Sequence, residues 1–217
     1  MRAFSMGRII EKIVWIVKGF TSRRPVCYIP TMIRVITGSA RGRRLAAPRG
    51  TRTRPTSGKV REALFDILGS QVTGTVFLDL FSGTGAVGIE AVSRGAARAV
   101  LVERDPEALR AIRANAQLSG LASRIEIQPI DVDRCLKILA SRGTPTDIIF
   151  CDPPYAYRGW KKLLKRLGGG DIIRPAGLAI IEHDRDNDPG EVFGVFRRIQ
   201  RRIYGGTHLS VFQRQER

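Results

Sequence analysis

Apolar residues along the second part of the chain form short runs that alternate with longer segments in which apolar positions recur at helical spacing. The short runs are typical of buried strands and lie at 76–80, 99–103, 125–128, 147–151 and 178–182. The longer segments predict helices at 86–94, 106–119, 132–141 and 159–167. Because strands and helices alternate in order, the chain is predicted to form a parallel, doubly wound sheet of the α/β class.

The last two predicted strands, at 198–204 and 208–212, are joined by a short link that contains Gly205 and Gly206. So short a link permits only an antiparallel pair. Together the segments predict a seven-stranded sheet that is mostly parallel and ends in an antiparallel strand.

The chain before these strands predicts a smaller unit. The β-branched run at 33–37 and the residues at 41–45 predict a two-stranded ribbon with an arginine-rich turn. Thr56 or Ser57 then caps a helix at 59–68, which presents one apolar face to the main domain.

We therefore expect three parts, a basic extension at 1–31, an N-terminal ribbon and helix at 32–70, and a main domain at 71–217. Met32 opens the first segment that resembles a strand. The extension is expected to be poorly ordered or to form a short amphipathic helix around 9–17. A start codon assigned too far upstream, with Met32 as the true first residue, is the alternative.

Positive charge is concentrated near the N-terminus. The formal net charge is +17, and residues 1–61 hold 15 of the 37 Lys and Arg but only one acid, Glu11. Such a block attracts a polyanion such as nucleic acid, although a solvated basic face is the alternative for each residue. The predicted RNA-binding residues are Arg41, Arg43, Arg44, Arg52, Arg54, Lys59 and Arg61, the last two on the outward face of their helix.

The three thiols, Cys27, Cys135 and Cys151, are scattered and form no C-x-x-C pair. This pattern argues against a disulfide framework or a zinc site and fits a reducing compartment. The apolar run at 13–17 is too short to span a bilayer. We expect a soluble cytoplasmic protein that binds no metal.

A glycine-rich turn follows the first main-domain strand. Residues 83–88 match G-x-G-x-x-G, and Glu103 follows the next strand, which is a pattern found in nicotinamide dinucleotide sites. Any cofactor that the backbone must approach closely needs glycines here, however. Asp79, at the end of the first strand, would repel a pyrophosphate but attract the sulfonium and ammonium groups of S-adenosylmethionine. We favour S-adenosylmethionine and keep the dinucleotide as the alternative.

Two further acids surround this turn. Glu103 can accept hydrogen bonds from the ribose hydroxyls of either cofactor and so does not discriminate between them. Asp131, after the third strand, is placed to reach the adenine amine, with ordinary helix capping as an equally weighted alternative. The predicted cofactor-binding residues are Asp79, Phe81, Ser82, Gly83, Thr84, Gly85, Glu103, Arg104, Asp131 and Val132.

The segment at 152–155 follows the apolar run 147–151, at the strand end where open α/β sheets bind ligands. The exocyclic amine of a nucleobase is a poor nucleophile because its lone pair is delocalised into the ring. The Asp152 carboxylate and the Pro153 carbonyl can accept its two hydrogens, and Tyr155 can stack on an extruded base. Catalysis then rests on alignment for in-line methyl transfer. The predicted catalytic residues are Asp152, Pro153, Pro154 and Tyr155.

The sequence Asp-Leu-Phe-Ser-Gly-Thr-Gly at 79–85, together with Asp-Pro-Pro-Tyr at 152–155, resembles the S-adenosylmethionine-dependent amino-methyltransferases. Arg-Val-Ile-Thr-Gly at 34–38 and Arg-Gly-Arg-Arg-Leu at 41–45 make the chain similar to a narrower group, the RsmD family of bacterial 16S ribosomal RNA guanine-N2 methyltransferases, over about residues 32–212. The resemblance implies a Rossmann-like class I methyltransferase sheet, S-adenosylmethionine as cofactor and 16S rRNA in the small ribosomal subunit or its precursor as substrate. It also implies a monomer.

The choice of base stays open at this point, because adenine-N6 and cytosine-N4 enzymes share the Asp-Pro-Pro-Tyr motif. Base identity therefore rests on the N-terminal segment. Two other hypotheses are a nicotinamide-dependent oxidoreductase, from the glycine pattern alone, and a non-catalytic ribosome assembly or RNA-binding protein, from the basic N-terminus.

Overall fold

The computed structural model describes residues 33–47, 57–143, 145–154, 157, 159–169 and 172–216. Every described residue belongs to one compact unit, Thr31–Arg217. The predicted extension at 1–31 and three predicted site residues, Arg52, Arg54 and Tyr155, lie outside the described residues.

The strands and helices follow one another in the predicted alternating order. The strands are β1 Ile33–Arg34, β2 Arg44–Leu45, β3 Val76–Leu80, β4 Arg98–Val102, β5 Ile125–Gln128, β6 Thr146–Cys151, β7 Ile173–His183, β8 Val192–Phe193, β9 Phe196–Tyr204 and β10 Thr207–Arg214. The helices are α1 Gly58–Leu68, α2 Ala86–Ser93, α3 Pro106–Ser119, α4 Val132–Arg142 and α5 Trp160–Leu167.

The main sheet has the order β5-β4-β3-β6-β7-β10-β9-β8. Strands β3 to β7 run parallel, whereas β10 pairs antiparallel with both β7 and β9. The sequence-based expectation of a mostly parallel Rossmann-like sheet with an antiparallel last strand is confirmed. Since β3 and β6 are neighbours, their carboxyl ends lie side by side, with Leu80 opposite Cys151.

Two details of the sheets differ from the prediction. The main sheet has an eighth strand, β8, which is only two residues long and so carries no periodicity that a sequence pattern can reveal. The ribbon of β1 and β2 exists, but β1 ends at Arg34 rather than at Thr37. The reason is that the N–H groups of Ile36 and Thr37 bind a side chain, Glu90, instead of a neighbouring strand.

The sheet buries one hydrophobic cluster on each face. Phe77 of β3 packs in the cluster that includes Leu64 of α1 and Ile89 of α2, whereas Leu78 packs in the cluster that includes Leu136 of α4. Alternate residues of a strand point to opposite faces, so a strand covered on both sides reads as a continuous apolar run. This is why the β3 pattern was visible in the sequence.

Buried polar side chains of α2 and α3 hold the N-terminal ribbon in place. Glu90 of α2 accepts the N–H groups of Ile36 at 2.7 Å and Thr37 at 2.9 Å. Asn115 of α3 accepts the N–H of Ala46 at 2.6 Å and donates to the carbonyl of the same residue at 3.0 Å. Both side chains are fully buried. The ribbon is therefore fixed to α2, the helix that begins at the glycine-rich turn.

Candidate active site at the carboxyl ends of β3 and β6

The turn after β3 has a backbone that only a few residue types adopt readily. Gly83 and Gly85 have φ angles of 55° and 75°, and the N–H of Gly85 closes the turn onto the Ser82 carbonyl at 2.7 Å. The backbone of Phe81 is also in the left-handed region, with φ of 62°. Such a backbone is uncommon for a bulky residue and is typical of functional sites held by their surroundings. The Thr84 carbonyl accepts a hydrogen bond from the buried Asn115 at 2.9 Å, which ties the turn to α3.

Asp79, the penultimate residue of β3, is buried beneath this turn. Its Oδ2 atom accepts the N–H of Gly88 at 3.0 Å. A Cβ at Gly88 would lie 2.1 Å from Leu101 Cδ2 of β4, so glycine leaves room for this buried leucine side chain beneath α2. Burial raises the pKa of Asp79 to about 8; the Gly88 hydrogen bond opposes this rise, and the nearby charges of Asp152 and Glu103 add to it. The site thus holds a carboxylate that a bound cation would stabilise in its ionised form.

Glu103, just past β4, shapes the same turn from the other side. Its Oε2 atom accepts the N–H of Gly83 at 2.9 Å, and Oε1 accepts the N–H groups of Arg104 at 2.7 Å and Asp105 at 2.9 Å. By lone-pair count, Oε2 can accept one further hydrogen bond. The structure therefore brings Asp79, the glycine turn and Glu103 together, as the sequence predicted.

Asp131 and Val132 lie at the start of α4, after β5. Asp131 caps this helix by accepting the N–H of Asp133 at 2.9 Å, and its other oxygen accepts from Arg104 Nη1 at 3.3 Å. The capping alternative considered for Asp131 is thus present in the fold. Its contact with the adenine amine, and the cofactor contact of Val132, stay predictions.

Asp152 follows β6, and its backbone N–H lies 3.5 Å from the Leu80 carbonyl at the end of β3. Pro153 is buried and Pro154 is exposed. The N–H of Tyr157 binds the Pro154 carbonyl at 2.7 Å and closes the turn, which leaves the preceding carbonyl of Pro153 outside that hydrogen bond. Asp152 and both prolines line one cavity.

Aromatic rings connect this cavity to the glycine turn. The ring centroids of Phe81 and Tyr157 lie 5.1 Å apart in an edge-on arrangement, and those of Tyr157 and Trp160 lie 6.4 Å apart. Sequence reasoning assigned an aromatic role to Tyr155, which lies outside the described residues, and missed Tyr157 and Trp160. A tyrosine and a tryptophan within a few residues of the Asp-Pro-Pro segment were the available signal.

The cavity also has a wall on β7 and β10 that the sequence patterns did not indicate. Its further lining residues are Trp160, Glu182, His183, Asp184, Asn187 and Thr207. His183 is buried, and its two ring nitrogens contact the Asp184 carbonyl at 2.6 Å and Ser210 Oγ at 2.9 Å. Glu182 and His183 of β7 and Thr207 of β10 come from strands whose neighbours are fixed by sheet order rather than by any local motif.

The basic residues assigned to RNA divide into two groups. Arg41, Arg43, Arg44 and Lys59 are exposed, as expected. Arg61 contradicts the prediction, because it is only 4% exposed. Its Nη2 donates to the Arg34 carbonyl at 2.7 Å, and its Nε lies 3.9 Å from Glu90. Burial lowers the pKa of Arg61, and the Glu90 charge raises it in part. Arg61 is a structural residue that fastens α1 to the ribbon.

Two features that the described residues lack bear on other functions. No group of three or more His, Cys, Asp or Glu in the described part of the chain is arranged to hold a metal ion. Among the same residues, no helix has both the length and the apolar character needed to cross a membrane. Cys135 and Cys151 are buried free thiols.

Comparison with known proteins agrees with the geometry. Residues 33–213 match the family model described as Conserved hypothetical protein 95. The chain is 36% identical over 183 residues to YlbH of Bacillus subtilis (strain 168), covering 84% of this chain and 100% of that protein. It is 31% identical over 184 residues to Ribosomal RNA small subunit methyltransferase D of Escherichia coli (strain K12), covering 84% and 90%.

A solved structure shares the fold as well. The structure of yhhF from Escherichia coli superposes with a TM-score of 0.74 at 30% identity, covering 86% of this chain and 99% of that one. The glycine turn, the Asp-Pro-Pro segment and the docked ribbon thus occur within a match that spans nearly all described residues. The chain therefore belongs to the Conserved hypothetical protein 95 family, the RsmD family of S-adenosylmethionine-dependent methyltransferases.

Proposed function

We propose that this protein transfers the methyl group of S-adenosylmethionine to the exocyclic N2 amine of a guanine in 16S rRNA, within the small ribosomal subunit or its precursor. The observation that carries the proposal is the placement of Asp152 and Pro153 beside the Asp79 turn at the carboxyl ends of neighbouring strands. Membership in the RsmD family supports methyl transfer, and the name of the Escherichia coli relative supports ribosomal RNA as the substrate.

The cofactor is assigned to the turn after β3 because the residues there fit its charge and shape. S-adenosylmethionine supplies an electrophilic methyl group on a positively charged sulfur. A cation bound near Asp79 would favour the ionised form of its carboxylate, and the remaining acceptor site on Glu103 Oε2 suits a ribose hydroxyl. The pyrophosphate of a dinucleotide would meet two acids here, which disfavours the oxidoreductase. The remaining residues assigned to this subsite are Phe81, Ser82, Gly83, Thr84, Gly85, Arg104, Asp131 and Val132.

The amine is assigned to Asp152 and Pro153. The Asp152 carboxylate and the Pro153 carbonyl accept one hydrogen each, which turns the amine lone pair toward the methyl group. In the transfer, the carbon–sulfur bond breaks as the carbon–nitrogen bond forms, and the amine proton leaves to Asp152 or to water. Alignment of the reacting atoms supplies most of the acceleration. Pro154 and Tyr155 complete the predicted catalytic segment, with Tyr155 stacking on the extruded base.

The RNA is assigned to the exposed part of the ribbon. Arg41, Arg43, Arg44 and Lys59 are placed to bind phosphates and set the register of the RNA, while the cavity selects the base. Arg52 and Arg54 are proposed to extend this surface. A ribosomal substrate also supports a cytoplasmic location. The protein is further proposed to act as a monomer, as the family resemblance implies.

The test is to map the product. Small ribosomal subunits lacking this modification are incubated with the protein and labelled S-adenosylmethionine, and their 16S rRNA is digested and analysed by mass spectrometry. We expect N2-methylguanine at one position. N6-methyladenine or N4-methylcytosine would refute the choice of guanine, and RNA binding without methyl transfer to subunits or their precursors would favour a non-catalytic assembly factor.

A further inference from the structure

We propose that Glu182, at the end of β7, distinguishes guanine from adenine and cytosine by accepting the N1–H of the target base. This inference rests on the proposed function, because it assigns a second acceptor to the same cavity. It names the residue that selects the base, which the Asp-Pro-Pro segment alone does not do.

The sheet places Glu182 next to Asp152. Strands β6 and β7 are parallel, and Cys151 is paired with Ile181, so the following residue of each strand reaches the same edge of the sheet. Both acids line the same cavity. Strand β10 pairs with the other side of β7, with Leu209 opposite Glu182. Because strands flank it on both sides, the backbone of Glu182 is rigidly held.

Two adjacent carboxylates match the hydrogen-bonding edge of guanine. On guanine, the N2 amine and N1–H are neighbouring donors, so an acid opposite each of them is satisfied. On adenine and cytosine, the ring nitrogen beside the exocyclic amine carries a lone pair instead of a hydrogen. That lone pair would face the Glu182 carboxylate, and an unpaired acceptor in a partly desolvated site is costly.

Hydrogen bonds of His183 and Asp184 hold this wall together. Both ring nitrogens of His183 have partners, Ser210 Oγ and the Asp184 carbonyl. The Asp184 carboxylate accepts the backbone and side-chain N–H groups of Asn187, each at 2.9 Å. Glu182 is half-buried between two buried residues, Ile181 and His183, and is the carboxylate of the wall that the sheet register places beside Asp152.

The experiment uses 2-aminopurine, which keeps the 2-amine of guanine but has a lone pair in place of N1–H. Small subunits are reconstituted with ligated 16S rRNA that carries guanine or 2-aminopurine at the mapped position. Wild-type protein is expected to methylate guanine at least about tenfold faster than 2-aminopurine, as for a specific base contact. The amide of Glu182→Gln can donate to the ring nitrogen of 2-aminopurine. This variant is expected to methylate guanine about tenfold more slowly than wild type, and the ratio of its rates on guanine and 2-aminopurine should be close to one.

Glu126→Gln is the matched control, since Glu126 is exposed on β5 and pairs with Arg98. This variant should keep the wild-type ratio. The proposal is overturned if wild-type protein methylates both bases equally, a result that needs no variant. It is also overturned if Glu182→Gln keeps the wild-type ratio or loses both activities by the same factor. If instead the wild-type protein methylates no guanine, the proposed function itself has failed.

Discussion

The glycine turn and the docked ribbon are both built by carboxylates that accept backbone N–H groups, but they differ in how the negative charge is compensated. At the ribbon, Glu90 binds two N–H groups and is flanked by Arg94 at 2.8 Å and Arg61 at 3.9 Å. At the turn, Asp79 binds one N–H group and lies near two more acids, Asp152 and Glu103.

We interpret this difference as the one between a structural site and the proposed ligand site. Glu90 has its cations within the chain, so the charges are complete before anything binds. Asp79 is buried among acids with its pKa raised to about 8, and a cation from outside relieves this arrangement. Helix α2 contributes to both sites. It begins at the glycine turn, and its second half contains Glu90. The first predictions test whether the two sites can be perturbed separately.

The largest effect on stability is expected from Glu90→Gln. This change leaves Arg61 buried without its counter-charge, and removing one partner of a buried ion pair costs about 3 to 5 kcal/mol. Urea unfolding should show this loss in the free energy of unfolding. Glu126→Gln, in an exposed pair with Arg98, should cost less than about 1 kcal/mol. Equal effects for the two variants would refute the structural role of Glu90.

A smaller loss in the free energy of unfolding is expected from Gly88→Ala, a change in helix α2, which contributes to both sites. The added Cβ would meet Leu101 Cδ2 of β4 at 2.1 Å and Asp79 Oδ2 of β3 at 3.3 Å, so either α2 or the buried Leu101 side chain must shift. Overpacking of this kind costs about 1 to 2 kcal/mol. Calorimetry should also show weaker binding of S-adenosylmethionine.

The matched control for this variant is Gly58→Ala at the start of α1. In the described part of the chain, nothing other than its sequence neighbours and the backbone of its own helix lies within 4 Å of the position of that Cβ. Stability there should be unchanged or slightly raised, because alanine favours a helix. A Gly88→Ala protein as stable as Gly58→Ala, with unchanged cofactor binding, would contradict the close approach of α2.

A pH-dependent effect is expected from Asp79. Its pKa is raised from 3.8 to about 8, so the folded protein holds a proton there that the unfolded chain releases. This stabilisation is complete below about pH 4 and is lost as the pH rises to about 8. The free energy of unfolding of the apo protein, minus that of Asp79→Asn, should therefore fall between these limits. A constant difference would show that Asp79 is ionised throughout.

The smallest effect is expected at the exposed end of the ribbon. Replacing Arg43 and Arg44 by Ala should lower the slope of log affinity for RNA against log salt by about 1.5, if each contacts one phosphate. Arg110 and Arg113, exposed on α3, provide a double variant with the same change of charge. The interpretation fails if both double variants change the slope equally.

The sequence predicted the features that depend on contiguous residues and missed those that depend on contacts between distant residues. The strands and the glycine turn were predictable because their apolar runs, glycines and acids are contiguous. The burial of Arg61 was not, since its partner Glu90 lies 29 positions away and meets it only after the ribbon docks. Glu182 was missed for the same reason, because its place beside Asp152 depends on the pairing of β6 with β7.

The central claim is that the turn after β3 holds the cofactor while Asp152, after β6, holds the amine. The most direct test is single-turnover methyl transfer to small subunits by Asp152→Ala, with cofactor affinity measured on the same protein. We predict a loss of transfer of at least about 100-fold, as for removal of a group aimed at the reacting atoms, with cofactor affinity largely kept. Transfer at the wild-type rate would contradict the claim.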